Sequence, residues 1–159
     1  MTAPGSGAAG RVVGIYVGAV RSAPLTSVPE VRAVAGKGLE GDRYAEAAGS
    51  FSDRPGTGRQ LTLIESEAIE AARRDYGVDL GDGGPRRNIV TAGVALNHLV
   101  GREFQVGDVR LRGVRLNEPC AHLASLTSPR VQRALVHRGG LRADILTDGV
   151  LRVGDEVRV

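Results

Sequence analysis

The chain is poor in cysteine, lysine and aromatic residues, and each scarcity removes a class of function. A single cysteine, Cys120, cannot form an internal disulfide, so a secreted, cystine-stapled scaffold is disfavoured and a reduced thiol in the cytoplasm is expected. Lys37 is the only lysine and lies between Gly36 and Gly38, a poor mount for a Schiff base, so no pyridoxal phosphate of its own is expected. The aromatic residues Tyr16, Tyr44, Phe51, Tyr76 and Phe104 are scattered rather than clustered. This argues against the competing reading of a basic β-barrel that binds nucleic acid by stacking bases on aromatic rings. No stretch is long and apolar enough for a membrane helix, and the first residues lack the basic start and apolar run of a signal peptide. The expectation is a soluble, cytoplasmic protein with neither nucleic acid nor a membrane as partner.

Arginine, by contrast, is abundant. Of the 21 basic residues all but Lys37 are arginine, and the formal net charge is +3. A guanidinium grips phosphate or carboxylate with two parallel hydrogen bonds, so an arginine-rich site suits an anionic small molecule, although any single arginine is equally a solvated surface residue. At 159 residues the chain can bury one core without staples. Residues 1–10, rich in Gly, Ala, Ser and Pro, read as a flexible leader, and residues 11–159 as one domain.

Short apolar runs and turn residues predict a mainly β protein, a compact twisted β-barrel with two or three short helices. Strands are expected from Arg11 to Val20, Val31 to Val34, Leu61 to Ile64, Asn88 to Thr91 and Val109 to Leu116, the last with a bulge at Gly113 where the alternation changes parity. Between them, Ala45 through Gly58 reads as a long functional loop. A first helix is expected from a Ser66 cap, with Ile69, Ala72 and Tyr76 on its buried face and Gly77 ending it, and Leu96 to Val100 as a helical turn. A second is expected after the Ser128-Pro129 pair, with Val131, Ala134 and Leu135 buried, ending near Gly139. Leu141, Ala143 and Ile145 then alternate, and Asp148-Gly149 predicts a hairpin back along Val150 to Val153.

Cys120 follows Pro119, which fixes the turn before it and can present the thiol at an edge, and in extended backbone His122 would point the same way. A thiol in a positive neighbourhood gains nucleophilic and metal-binding character; a free cysteine is as often a small buried hydrophobe. His98, His122 and His137 show no zinc-ligand spacing, and no serine sits in a nucleophile elbow. Gly41-Asp42-Arg43, Gly83-Gly84-Pro85-Arg86-Arg87-Asn88 and Arg138-Gly139-Gly140 each place main-chain N–H groups beside guanidinium, the chemistry of an anion cradle or of an ordinary turn.

Taken in order, GLEGDRY, RQLTLIESE, RRNIVTAGVALNHLVGREFQVG, EPCAHL, HRGGLRADIL and VGDEV resemble the MOSC family over roughly Val12 to Val159. Its members are similar to the C-terminal domain of molybdenum cofactor sulfurases and to the core of the mitochondrial amidoxime-reducing component. The resemblance implies a β-rich, barrel-like fold. It implies that Cys120 is the key catalytic cysteine, carrying persulfide sulfur as in a sulfurtransferase or ligating molybdenum as the metal site; His122 is its candidate helper by nearness in sequence alone. It puts Arg86, Arg87 and Asn88 beside a pterin phosphate, makes Arg59, Gly41, Asp42, Arg43 and Arg138 pocket residues, and implies a molybdenum cofactor as the bound group. Sulfurases also carry a pyridoxal-phosphate aminotransferase-like domain and the amidoxime-reducing proteins a further N-terminal barrel, neither of which is expected here. A separate cysteine desulfurase is therefore the expected sulfur donor, and an anionic small molecule or pterin the acceptor. Many small relatives have a second cysteine where this chain has Asn117, so a Cys-x-x-Cys redox pair is absent. The alternative is a MOSC scaffold recruited to other small-molecule chemistry, such as carbon–sulfur bond formation in biosynthesis.

Overall fold

Strands in this chain are short because their apolar runs are short, and most face an apolar layer on at least one side. The computed structural model describes residues 10–20, 22–42, 58–81 and 83–159. In chain order its elements are β1 (Gly10–Val17), β2 (Thr26–Ser27), β3 (Glu30–Val34), β4 (Gly38–Leu39), β5 (Leu61–Glu65), α1 (Ser66–Tyr76), β6 (Ile89–Ala92), a 3-10 turn (Leu96–Leu99), β7 (Glu103–Val106), β8 (Val109–Leu116), α2 (Ala121–Leu126), α3 (Val131–Leu135), β9 (Leu141–Ile145), β10 (Gly149–Arg152) and β11 (Glu156–Arg158). Seven strands in the order β11-β7-β8-β9-β5-β6-β1 close into a barrel through the β1–β11 pair, and β2 adds to β1 outside the ring. Closure removes the open edges that a flat sheet of these strands would expose. β5 and β6 run parallel across the α1 crossover, and the other barrel pairs are antiparallel. The mainly β barrel expected from the sequence is the fold of the chain.

Side-chain alternation sorts this barrel into two apolar layers. Leu61 and Leu63 of β5, Ile89 of β6 and Leu141, Ala143 and Ile145 of β9 point into the barrel with Val12, Ile15, Phe104 and Leu111. Ile64 and Val90, on the opposite faces of β5 and β6, meet a helical layer made by Ala68, Ile69 and Ala72 of α1, Leu123 of α2 and Val131, Ala134 and Leu135 of α3. Burial on both faces is why β5 reads as a nearly continuous apolar run rather than an alternating one. A second sheet, β10-β3-β4, contributes Val31, Ala33, Leu39 and Leu151 to the barrel core.

The structure moves several boundaries. β1 takes in Gly10, assigned by sequence to the leader, and stops at Val17; the rest of the leader, Arg43 and nearly all of the expected 45–58 loop lie outside the described residues. Glu65, not Ser66, occupies the cap position of α1, and Tyr76 is 39 % exposed, because the helix buries its alanines and Ile69 against β5 and β6. Gly77 ends α1 in the left-handed conformation, as expected. α3 starts one residue after Arg130 and ends at Leu135, well short of Gly139. The expected hairpin of β9 with β10 does not form. Leu146 instead donates to the Arg110 carbonyl, Thr147 Oγ1 accepts the Arg110 N–H, and Asp148 Oδ1 accepts the Ala35 N–H, so the chain is led away to pair β10 with β3.

The bulge in β8 lies where the sequence places it: Gly113 pairs with Ala143 and Arg115 with Arg142, leaving Val114 as the extra residue. Glycine is required there by close approach, since a Cβ on Gly113 would lie 2.1 Å from the Leu99 carbonyl oxygen. Gly113→Ala is expected to lower stability by about 2 kcal/mol or more, the cost of pushing apart a packed backbone. A fall in the urea midpoint at unchanged m-value would bear this out, and an unshifted midpoint would contradict it.

Candidate functional site

The outward row of the barrel changes from apolar to polar where it passes beyond the helical layer. Two residues before Ile64 on the same face of β5 is Thr62, and two before Val90 on β6 is Asn88. Arg142 of β9 is the register partner of Thr62. A polar side chain in a strand buried on both faces must find partners, and these do. Asn88 Oδ1 accepts from the Thr62 N–H at 3.1 Å and from Thr62 Oγ1 at 3.2 Å, while the Asn88 N–H donates to Thr62 Oγ1 at 3.0 Å. Its Nδ2 donates to the Tyr16 carbonyl at 3.0 Å and to Asp42 Oδ1 at 3.4 Å, and Asp42 Oδ1 also accepts the Gly18 N–H at 2.9 Å.

This floor underlies a cavity of about 150 Å³ lined by Leu25, Asp42, Thr62, Arg86, Arg87, Asn88, Asn117, Cys120, His122, Leu123, Leu126 and Arg142. Leu25, Arg86 and Leu126 also line a neighbouring cavity of about 430 Å³, whose other walls are Ser22, Pro24, Gly83, Gly84 and Thr127. Cys120 is exposed and precedes α2 as its cap residue. That helix was not expected from the sequence: of the two leucines in AHLASL, Leu126 stays exposed and Leu123 docks into the α1–α3 layer and so fixes where the thiol stands. His122 therefore lies on a helical turn rather than in extended backbone; it still lines the cavity, with its Nε2 3.2 Å from Ser22 Oγ.

The two neighbouring arginines divide their work. Arg87 is buried, and each of its guanidinium nitrogens donates to a different main-chain carbonyl: Nε to Gly139 at 2.7 Å, one terminal nitrogen to Pro85 at 3.0 Å and the other to Asn117 at 2.9 Å. It ties together three loops around the cavity that it also lines, a structural task that the sequence did not suggest. Arg86, at φ 63, has one terminal nitrogen on the Ala23 carbonyl at 2.6 Å and forms part of both cavity walls.

Other expected pocket residues stand elsewhere. Arg138 is exposed and does not line the cavity; its charge reaches Asp75, whose carboxyl is held below its ordinary value chiefly by a hydrogen bond from Arg74. Gly139 serves packing, because a Cβ there would lie 2.3 Å from the Asn117 carbonyl oxygen, against the turn that leads to Cys120. Arg59 bridges the backbone of Ala143, and exposed Gly41 only precedes Asp42; neither lines the cavity. Thr62 and Arg142 were missed by sequence reading, although each interrupts a largely apolar strand. Among the described residues, no three His, Cys, Asp or Glu side chains cluster as a metal site.

Arg87→Met is expected to orphan three buried carbonyls and cost about 3 kcal/mol or more, with Arg87→Lys a poor rescue because an ammonium lacks the planar fork. Denaturant unfolding of the two variants tests this, and a lysine variant as stable as the parent would refute it. A second expectation concerns Glu118, whose carboxyl lies below its ordinary value. Burial pushes it up, but hydrogen bonds from the His137 N–H and ring, with the ring's charge, outweigh that. A depressed carboxyl stabilises the fold above its unfolded pKa and loses that contribution as pH falls through the folded one. The stability difference between the parent and Glu118→Gln is therefore expected to be present at about pH 5 and to shrink as pH falls below about 4; melting between those values measures it.

Comparisons with known proteins bear on the fold and the family. The fold is similar to that of the YuaD protein from Bacillus subtilis, with a TM-score of 0.79 at 17% identity over 94% of each chain. It is similar to YiiM from Geobacillus stearothermophilus, with a TM-score of 0.70 at 18% identity, covering 94% of this chain and 74% of that one. It is also similar to YiiM from Escherichia coli, with a TM-score of 0.68 at 16% identity, covering 94% and 68%. No curated protein sequence matches the chain. The model of the MOSC domain matches residues 49–158, more than half of the chain, and the protein belongs to the MOSC domain family.

Proposed function

We propose that the protein accepts, holds and delivers sulfur through a persulfide on Cys120. The observation that carries this reading is the placement of the chain's only thiol, exposed, on the wall of a cavity that also contains Arg86 and Arg142. An exposed sulfur can be reached by the persulfide of a separate cysteine desulfurase. In the loading step the Cys120 thiolate attacks the outer sulfur of the donor persulfide; one S–S bond forms, the donor's S–S bond breaks, and the donor cysteine leaves as thiolate. In the delivery step a nucleophilic acceptor attacks the outer sulfur of the Cys120 persulfide and Cys120 leaves as thiolate. No net oxidant is needed.

The guanidinium groups of Arg86 and Arg142 favour an anionic acceptor and the negative charge on the sulfur being passed, while Thr62, Asn88 and Asn117 provide a polar floor. The Cys120 cavity is smaller than the roughly 300–1,000 Å³ of a typical ligand pocket, so it suits the reacting end of a molecule whose body occupies the neighbouring space. A molybdenum-bearing pterin fits this donor set, with Cys120 as one metal ligand and Arg86, on the wall shared by the two cavities, for its anionic tail. When bound, such a group supplies two-electron redox chemistry at the metal. The residues' own part is to present the thiol and bind the anion.

Cys120→Ser is expected to abolish sulfur loading while stability changes by no more than about 0.5–1 kcal/mol, since an exposed sulfur is exchanged for an oxygen of similar size. Intact-protein mass spectrometry after incubation with a cysteine desulfurase and cysteine reads the added sulfur atom. Full loading of the serine variant, or none of the parent, would rule out the persulfide.

A further inference from the structure

We propose that Glu118 is a positioning residue for Cys120, clasping the turn that carries the thiol to the loop between α3 and β9. This rests on the reading of Cys120 as the reacting group. Between the end of β8 at Leu116 and the start of α2 at Ala121 the chain makes no strand or helix, so the thiol's place depends on how this short turn is tied down. Its inner tie is the main chain of Asn117, whose N–H donates to the Gly140 carbonyl at 2.8 Å and whose carbonyl accepts from buried Arg87 at 2.9 Å. Pro119 has no N–H to offer. The outer tie is Glu118. Both of its carboxylate oxygens bind one residue, Oε1 accepting the His137 N–H at 2.7 Å and Oε2 lying 2.7 Å from His137 Nδ1.

An exposed acid–histidine pair alone contributes little to stability. This one differs from a loose surface ion pair because it seizes main chain in an uncommon conformation. His137 has φ 61, sparsely populated by residues with a Cβ, and it is held from both sides: Glu118 binds its N–H, and Asn97 Nδ2 donates to its carbonyl at 2.8 Å. Two residues on, Gly139 lies against the Asn117 carbonyl and Pro119, so fixing His137 fixes the surface on which the cysteine turn rests. The inner tie is buried and joins the turn to the loop before β9 and to Arg87; the outer tie is exposed and bears mainly on the turn. Releasing it should let Cys120 wander from its cavity while the barrel stays folded.

The sole cysteine makes this directly measurable, because a nitroxide attached to Cys120 labels a single position. In Glu118→Ala the spectrum of the label is expected to loosen, with recovery in Glu118→Gln, which keeps an oxygen for the His137 N–H. The turnover number for sulfur delivery should fall about ten- to a hundredfold in the alanine variant, the scale for misplacing a reacting group by an ångström. Far-UV circular dichroism should stay near that of the parent, and hydrogen exchange at the His137 amide should speed up. A label spectrum identical in parent and Glu118→Ala overturns the proposal whatever the rates. If the unlabelled parent carries no sulfur while the label still loosens in Glu118→Ala, the sulfur reading fails and the clasp stands.

Discussion

A single buried guanidinium holds the thiol's surroundings in place. Arg87 brings a positive charge into the protein and spreads it over three carbonyls drawn from the 83–88 segment, the turn after β8 and the loop before β9. Burying a cation is costly unless its hydrogen bonds are made, and here the planar fork makes them to groups that would otherwise lack partners. Lysine could not reach three such carbonyls with one ammonium. The abundance of arginine in the chain, which composition alone leaves open between anion binding and surface solvation, includes at least this one structural use.

Around that anchor the barrel makes a site by running out of helix cover. Ile64 and Val90 are roofed by α1 and α3, whereas Thr62, Asn88 and Arg142 on the same outer face are not, and the void beside them receives α2 with Cys120 at its start. The cavity is thus on the outside of the barrel, between sheet and helices, and its polarity follows from where the apolar layer stops. Asp42 adds a carboxylate from the β4 end, which orients Asn88 and partly offsets the arginine charge.

What the sequence made legible was whatever depends on local pattern. β5 and β8, the bulge near Gly113, the Gly77 stop and the barrel class all follow from residues within a few positions of one another. Cys120, Arg86, Asn88, Asp42 and His122 were picked out and share one cavity. Long-range pairing was not legible: the strong Asp148-Gly149 turn signal predicts a hairpin, but Asp148 is engaged by the Ala35 N–H and β10 joins β3. The same limit hid α2, which is held as a helix by the docking of Leu123 more than by its own six residues. It also hid the difference between Arg87 and Arg138, each within three residues of a glycine pair in sequence and opposite in burial.

Asn117 limits the redox chemistry open to the site. Where a second cysteine would stand three residues before Cys120, this chain has a buried asparagine whose main-chain N–H and carbonyl lock the turn to Gly140 and Arg87. With no other thiol in the chain, a persulfide on Cys120 cannot be discharged by an internal disulfide. Under the proposed function its sulfur would leave to a nucleophile arriving from outside, a hand-over in place of a cycle between dithiol and disulfide. On that reading the acceptor is selected by the charge and shape of the wall that Arg86, Arg142, Leu25 and Leu126 form beside Cys120, and not by a redox state of the protein itself.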